Sequence, residues 1–368
     1  MCKMNKLPEI CKLFQIYGDY VSAIPYGTGH INDTFKITYN QGGALLHYTL
    51  QRINTNVFKR PLELMDNVER VTNHIHTKIE AEGASEGSRH TLQLVKSHLG
   101  RPYAFGSDGF LWRCYLFIEH ARTYDVIENT RMAFEAAKAF GGFQQDLVDL
   151  PGHRLFEVIP DFHNTPMRLE QLKQAAREDV CGRKKEVERE LDFFLAREEE
   201  AAVLVKLNEA GEIPERITHN DTKLNNVLLD DKTMEGVCVI DLDTVMPGLV
   251  HYDFGDMVRT GTSPALEDEK DLSKVTMRFE MFEALLRGYL SSAGSFINPV
   301  EREFLPFSGK LITMEIGMRF LADYLAGDVY FKTHREGHNL DRCRTQIKLA
   351  ESIEEQMNDM QKLLNSIK

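Results

Sequence analysis

Hydrophobic and polar positions follow two different periods along the chain, and the period changes near residue 60. Between residues 22 and 53, β-prone runs are separated by glycine-containing turns at 27–29 and 40–43. Such runs, divided by turn residues, predict an antiparallel meander. A short helix is predicted before it, over residues 9–20.

Residues 61–80 change to helical spacing, with apolar side chains such as Leu64 and Val68 on one face. This period predicts one amphipathic helix. Two further β-prone runs, 91–97 and 110–118, follow a small polar linker. The first third of the chain therefore predicts a sheet of about five strands with one main helix.

From residue 120 onward, helical periodicity dominates. The predicted helices lie near 131–147, 168–179, 184–210, 253–260, 268–292, 301–326 and 340–366. A β-hairpin at 226–241 interrupts them. A small β lobe followed by a large helical lobe is typical of protein kinases, so the predicted fold class is α+β, a protein-kinase-like bilobal fold. The predicted division places one lobe at 1–119 and the other at 120–368.

Size and charge agree with two lobes and limit the partners. A chain of 368 residues is too long for one compact core. Its net charge of −12 argues against a nucleic-acid binder, which would carry a basic face.

The cysteines and the N-terminus indicate a cytoplasmic protein. The six cysteines form no CxxC pair and no Cys/His cluster, which favours reduced thiols over a disulfide framework or a zinc site. The first residues contain no apolar segment typical of a signal peptide, and no apolar run approaches the length needed to span a membrane.

The strongest chemical signal is the run HNDTKLNN over residues 219–226, followed by a short hairpin that ends at Asp241. Phosphoryl transfer from a nucleotide needs one carboxylate to accept a hydroxyl proton, and an Asn and an Asp to hold Mg²⁺ on the phosphates. The spacing assigns Asp221 as the catalytic base and Asn226 with Asp241 as the metal pair. The structural alternative for Asp221 is a turn residue that caps its own backbone.

Neighbouring residues have open roles. Asp243 is either a second metal ligand or a turn former, and Lys223 either reaches a phosphate oxygen or is simply solvated. His219 is predicted to brace the loop. The literal DFG at 253–255 comes after the strand-end Asp has been supplied, so Asp253 is interpreted as a helix N-cap and a brace for the catalytic loop.

The nucleotide side is predicted from the glycine turn, because glycines let backbone N–H groups approach phosphate oxygens. Gly27, Thr28 and Gly29 form that turn. A cation from the third strand should reach the phosphates, and either Gln51 or Arg52 faces inward. An ion pair between Arg52 and Glu69 is the preferred prediction; two unrelated surface residues are the alternative.

Six motifs resemble the aminoglycoside phosphotransferase and choline kinase superfamily, and within it the N-acetylhexosamine 1-kinases. They are YGTGHINDT (26–34), LQRIN (50–54), HNDTKLNNVLL (219–229), VIDLDTVMPG (239–248), YDFGD (252–256) and GMRFL (317–321). The resemblance implies transfer of phosphate from ATP, with Mg²⁺, to the anomeric hydroxyl of N-acetylglucosamine or N-acetylgalactosamine.

The resemblance also implies site residues in this sequence. It places Asp221 as the base, His30 and Arg319 near the sugar, and Thr260 at a substrate position where relatives carry an aromatic residue. From its neighbours alone, Arg319 would be part of a helical ion-pair ladder.

The hypothesis is a cytoplasmic sugar kinase that uses ATP and Mg²⁺, with residues 1–119 as the nucleotide-binding lobe and 120–368 as the catalytic and substrate-binding lobe. Its partners would be a small sugar and ATP, without nucleic acid or membrane, in a monomer or homodimer. The rivals are a kinase for an aminoglycoside or choline-like substrate, and a catalytically silent nucleotide-binding protein.

Overall fold

An antiparallel sheet of five strands forms the first part of the computed structural model, which describes residues 6–27, 31–83 and 89–367. The strands lie in the order β1-β2-β3-β5-β4, with bounds Asp19–Pro25 (β1), Asp33–Gln41 (β2), Ala44–Arg52 (β3), Ala104–Phe105 (β4) and Leu111–Leu116 (β5). Alternate residues of β2, namely Phe35, Ile37 and Tyr39, are buried, as expected for a strand with one covered face. They pack with Trp112 and with the short helix α1 (Leu7–Cys11). We call this sheet with α1 the sheet lobe.

Two predictions for this lobe are wrong in detail. The helix predicted over 9–20 ends at Cys11, because the chain beyond it pairs with a distant segment: Gln15 N donates to Lys96 O at 2.8 Å. That segment, predicted as a strand over 91–97, makes only isolated bridges such as Leu94 to Tyr115. The fifth strand is instead the short β4.

Eleven helices and five short strands make up the rest of the described structure outside α1 and the five-stranded sheet, apart from a few 3₁₀ turns. The strands are β6 (Ala121–Arg122), β7 (Arg216–Thr218), β8 (Val227–Asp230), β9 (Gly236–Val239) and β10 (Met246–Gly248). The helices are α2 (Pro61–Ala81), α3 (Thr130–Asp146), α4 (Thr165–Glu178), α5 (Glu188–Leu195), α6 (Glu198–Ala201), α7 (Val203–Glu209), α8 (Val250–Thr262), α9 (Phe279–Ala293), α10 (Pro299–Glu303), α11 (Leu305–Leu325) and α12 (His338–Ser366). We call the part from α3 to α12 the helical lobe.

Three predicted helices are broken or shortened. The segment 184–210 forms a 3₁₀ turn and three short helices, with Arg197 outside the helical region at φ −113° and ψ 21°. There the guanidinium of Arg197 is held by Glu354 of α12 at 2.7 Å, a tertiary contact that helical periodicity does not reveal. The segment 268–292 is helical only from Phe279, and 301–326 is divided between α10 and α11.

Helix α2 is fastened to the helical lobe and not only to the sheet. The buried side chain of Asn67 donates to Phe156 O at 2.8 Å and to Val245 O at 3.0 Å, and accepts from Phe156 N at 2.9 Å. Further along, Lys78 donates to Asp146 O at 2.7 Å. The apolar face of α2 belongs to the same core as α3, α8 and α9. Contacts with the helical lobe therefore help to set the position of α2.

In the described ranges, no helix combines the length and the apolar character that crossing a membrane requires. The lobe boundary at residues 119 and 120 stays a prediction.

Candidate active site

Side chains from the N-terminal half of α8 hold the loop that carries Asp221. Asp253 accepts hydrogen bonds from His219 N at 2.9 Å, from Asn220 N at 2.7 Å and from Gln144 Nε2 at 2.6 Å. The predicted brace is therefore confirmed. The predicted N-cap is wrong, because α8 begins at Val250 and Asp253 lies inside it.

A second carboxylate of the same helix fixes the far side of the loop. Asp256 accepts from Thr222 N at 3.0 Å, and the hydroxyl of Thr222 donates to Asp253 O at 2.6 Å. Arg259 donates to Asp256 at 2.9 Å and keeps its carboxylate oriented. The YDFGD motif thus supplies two loop braces, of which the sequence indicated one.

His219 has one tautomer that fits its neighbours. Its Nδ1 accepts from Asp221 N at 3.3 Å, so the proton lies on Nε2, which donates to Ile240 O at 2.9 Å. The buried ring joins the catalytic loop to the end of β9. This bracing contact agrees with the role predicted for His219.

Asp221 projects into the space between the lobes with two side-chain partners. Lys223 Nζ lies 3.0 Å from Oδ1, and Asn226 Nδ2 lies 3.1 Å from Oδ2 and 2.8 Å from the backbone oxygen of Asp221. Burial alone would raise the pKa of Asp221, but the positive charge of Lys223 and the hydrogen bonds from Lys223 and Asn226 lower it below the ordinary value. Asp221 is therefore a carboxylate that is ionised and oriented.

Asp241 faces the same space. It follows β9 in the left-handed region, at φ 60°, and its side chain is exposed to the cleft. Among the described residues, none donates a hydrogen bond to its carboxylate. Desolvation by the walls of the cleft, together with the negative charges of Asp243 and Asp221, raises the pKa of Asp241 to about 6.

These residues fit a magnesium ion that is held mainly by phosphates. Asn226 donates through Nδ2, which leaves its side-chain oxygen for a hard cation, and Asp241 adds an unpartnered carboxylate. In the part of the chain that the structure describes, three His, Cys, Asp or Glu side chains do not gather into a metal site. Mg²⁺ bound with a nucleotide keeps waters and phosphate oxygens, so one or two protein ligands suffice.

Asp243 has contacts that match neither predicted alternative alone. It lies in the 3₁₀ turn Leu242–Thr244, and both of its oxygens face donors of the sheet lobe. Arg113 forms an ion pair with Oδ1, and Asn32 Nδ2 donates to Oδ2 at 2.5 Å. Its role as a metal ligand stays a prediction.

The register of the sheet decides which side chains face the nucleotide side. Thr34 pairs with Gln51, and Gln51 pairs with Arg113, so the three lie in one row across β2, β3 and β5. Gln51 donates to Thr34 Oγ1 at 3.0 Å and accepts from Arg113 Nε at 2.9 Å. Arg113 is the residue that sequence reasoning missed, because which strand lies beside β3 cannot be read from the local pattern.

The predicted ion pair between Arg52 and Glu69 is wrong. Arg52 is the neighbour of Gln51 and therefore points to the opposite face of the sheet, where it pairs with Asp33. Glu69 instead pairs with Lys96, with 3.5 Å between Oε1 and Nζ. Neither Arg52 nor Glu69 lines the cleft.

The cleft is a cavity of about 540 Å³ between the two lobes. Arg113 and Gln51 form part of its upper wall, and Asp221, Lys223, Asn226 and Asp241 form its floor. Apolar walls of Tyr26, Phe117, Ile118, Leu228 and Ile240 lie beside them. Gly27, at φ 83°, also lines it, while the predicted residues Thr28, Gly29 and His30 lie outside the described residues. A polar floor and an apolar slot suit a ligand with a charged end and a planar end.

Thr260 and Arg319 do not line this cavity. The hydroxyl of Thr260, in the last turn of α8, donates to Asp256 O at 2.8 Å. Their predicted roles at the substrate are untested by these contacts.

The ion-pair ladder considered for Arg319 is not formed. Glu315 binds His163 and Thr165, and Asp323 binds backbone N–H groups. The guanidinium of Arg319 instead lies 5.2–6.0 Å from the ring centroids of Phe162, Tyr330 and Phe331. It donates no hydrogen bond to any side chain or backbone group of the described residues.

The carboxylates of Asp221 and Asp241, the amide of Asn226 and the cleft that they line agree with the comparison to known families. The APH family model, described as the phosphotransferase enzyme family, matches residues 22–271. The chain belongs to the phosphotransferase enzyme family. The predicted superfamily is therefore confirmed, and the closer resemblance to N-acetylhexosamine 1-kinases stays a prediction.

Solved structures of phosphotransferases share the whole fold. An aminoglycoside phosphotransferase from Alicyclobacillus acidocaldarius is 12% identical, with a TM-score of 0.64 over 98% of this chain and 96% of that one. A choline kinase from Cryptosporidium parvum is 15% identical, with a TM-score of 0.55 over 99% of both chains. A spectinomycin phosphotransferase, solved with ADP and spectinomycin, is 10% identical, with a TM-score of 0.54 over 95% of this chain and 98% of that one. At these identities the likeness shows the fold, and it confirms the predicted fold class.

Proposed function

We propose that this phosphotransferase uses ATP and Mg²⁺ to phosphorylate the anomeric C1 hydroxyl of N-acetylglucosamine or N-acetylgalactosamine. The observation that carries the proposal is the convergence of Asp221, Asn226 and Asp241 on one cleft floor. The sugar as acceptor rests on the motif resemblance and on the guanidinium of Arg319, which donates no hydrogen bond within the described residues.

Asp221 would accept the hydrogen of the C1 hydroxyl and aim that oxygen at the γ-phosphorus. Its two oxygens already have donors, Lys223 and Asn226, so its orientation is set before the substrate binds. An anomeric hydroxyl is more acidic than an ordinary alcohol, and an ionised carboxylate of low pKa suffices to accept its proton. The proton moves to Asp221 as the hydroxyl oxygen bonds to phosphorus and the bond to the leaving ADP breaks.

Asn226 and Asp241 are the residues that would hold Mg²⁺, and Lys223 would face the transferred phosphate as a point charge. When bound, the metal neutralises charge on the phosphates. The apolar walls around Tyr26 and Leu228 suit the adenine ring.

Arg319 supports a neutral acceptor over a cationic one. It lies one helical turn after Glu315, and Glu315 is joined through His163 to Asn220, the neighbour of Asp221. A cation that has no hydrogen-bond acceptor among the described residues would repel choline or an aminoglycoside, but it can donate to sugar hydroxyls or an acetamido carbonyl.

The deciding experiment is phosphorus NMR of ATP with each N-acetylhexosamine, with choline and kanamycin as competing acceptors. A sugar 1-phosphate signal is expected with an N-acetylhexosamine; turnover only with choline or kanamycin would reject the proposed acceptor. Nucleotide binding without phosphorylation of any of these acceptors would favour the catalytically silent protein.

Asp221→Asn tests the base. We expect a loss of kcat of about 10²–10⁴-fold with ADP binding retained. Asp359→Asn is the matched control, because Asp359 also pairs with a lysine, Lys362 at 2.8 Å, on the exposed face of α12. Parental activity of Asp221→Asn would remove Asp221 as the base.

A further inference from the structure

The carboxylate of Asp243 is shared between the two lobes. Asp243 comes from the turn after β9, whereas both of its side-chain partners belong to the sheet lobe: Arg113 on β5, and Asn32 just before β2. The side chains of Arg113 and Asp243 are 1% and 4% exposed. One oxygen thus forms an ion pair and the other accepts a hydrogen bond, and both partners lie across the cleft.

Both donors are themselves held in place by the sheet lobe. Gln51 accepts from Arg113 Nε at 2.9 Å and donates to Thr34, which fixes the guanidinium to three strands. The side-chain oxygen of Asn32 accepts from Asn54 N at 2.9 Å, which fixes the amide to the end of β3. A movement of the sheet lobe away from the helical lobe would therefore pull both donors from Asp243.

The charges explain why this contact belongs in the closed state. A buried guanidinium needs a counter-charge. Asp243 supplies one to Arg113 only while the lobes are together. In return, the positive charge of Arg113 offsets Asp243, which leaves Asp241 as the carboxylate available beside Asn226.

We propose that Asp243 is an interlobe latch: Arg113 and Asn32 close on it and hold the sheet lobe over the nucleotide. Arg113 is a positioning residue, and Asp243 is not a metal ligand. The latch rests on the proposed function only in assuming that the cleft binds a nucleotide, whatever the acceptor. When the closed state is less populated, the apparent affinity for a ligand that needs it falls by the same factor.

The test is calorimetric binding of ADP, in EDTA and again with Mg²⁺, to Arg113→Gln, Asn32→Ala and Asp243→Asn. We expect each variant to weaken ADP binding without magnesium by about tenfold, as when the closed fraction falls to about a tenth. The double variant Arg113→Gln/Asp243→Asn should be no weaker than the worse single variant, because one contact is lost in all three. The nucleotide-bound radius of gyration from X-ray scattering should increase.

Arg287→Gln is the matched control, since Arg287 pairs with Glu283 at 2.8 Å on the outer side of α9, and it should bind ADP as the parent does. Asn32→Ala decides the matter if Arg113→Gln does not fold, because Asn32 is partly exposed. Unchanged magnesium-free binding in Asn32→Ala and Arg113→Gln would overturn the latch. A loss in Asp243→Asn that occurs only with Mg²⁺ would also overturn it and restore Asp243 as a ligand.

ADP binding keeps the two proposals separable. If no N-acetylhexosamine is phosphorylated but the variants weaken ADP binding as expected, the acceptor is wrong and the latch stands.

Discussion

Asp253→Asn separates a loop brace from a metal ligand, the two roles that a DFG aspartate can have. Asp253 is fully buried, and its oxygens accept from three donors: His219 N, Asn220 N and Gln144 Nε2. Asparagine has the same size, but one of its oxygens becomes an NH₂ group. At least one donor of the loop or of α3 would then face another donor.

The magnitude follows from these contacts. One buried donor left unsatisfied costs about 1–3 kcal/mol, and two remaining bonds weaken by about 1 kcal/mol each when the acceptor loses its charge. Burial raises the pKa of Asp253, so the uncharged side chain avoids part of the desolvation cost. We expect a net loss of about 2–3 kcal/mol, located in the catalytic loop.

Because the loop carries Asp221, a loss of this size should lower kcat about 30- to 150-fold. The assay is a titration of activity against Mg²⁺, combined with urea denaturation. The loop-brace role predicts lower stability and lower kcat at an unchanged Mg²⁺ requirement. Full stability together with a Mg²⁺ requirement raised tenfold or more would refute the reasoning and make Asp253 a ligand.

Two further predictions concern stability. Burial lowers the pKa of His251 from 6.5 to about 4, so the unfolded chain binds the proton first as the pH falls below 6.5. About 3 kcal/mol of stability is therefore lost between pH 6.5 and pH 4, and urea denaturation of His251→Gln should show a smaller loss over that window; an equal loss would contradict this. Asn67→Leu should lower the free energy of unfolding by about 2–4 kcal/mol, since the buried carbonyl of Val245 and the partly buried N–H and carbonyl of Phe156 lose their partner. Asn73→Leu, on the exposed face of α2, is its control and should change stability little, and an effect of similar size in both would show that the fastening of α2 to the helical lobe is not the cause.

The sequence alone was sufficient where chemistry depends on neighbours in the chain. Asp221, Asn226 and Asp241 lie on one loop and the hairpin beside it, and short strands carry them to one floor. The period change near residue 60 likewise predicted a sheet followed by helices. Local spacing determines such groups because few backbone conformations connect residues so close together.

Only the tertiary structure decided contacts made across the fold. Asn32 and Asp243 are 211 residues apart, and Arg113 faces the cleft because β5 pairs with β3 in one particular register. A slip of one residue would turn Arg52 inward in place of Gln51. The attachment of α2 to the helical lobe is of the same kind. Register and lobe docking are selected by the total burial and pairing of distant segments, which no local pattern in the chain records.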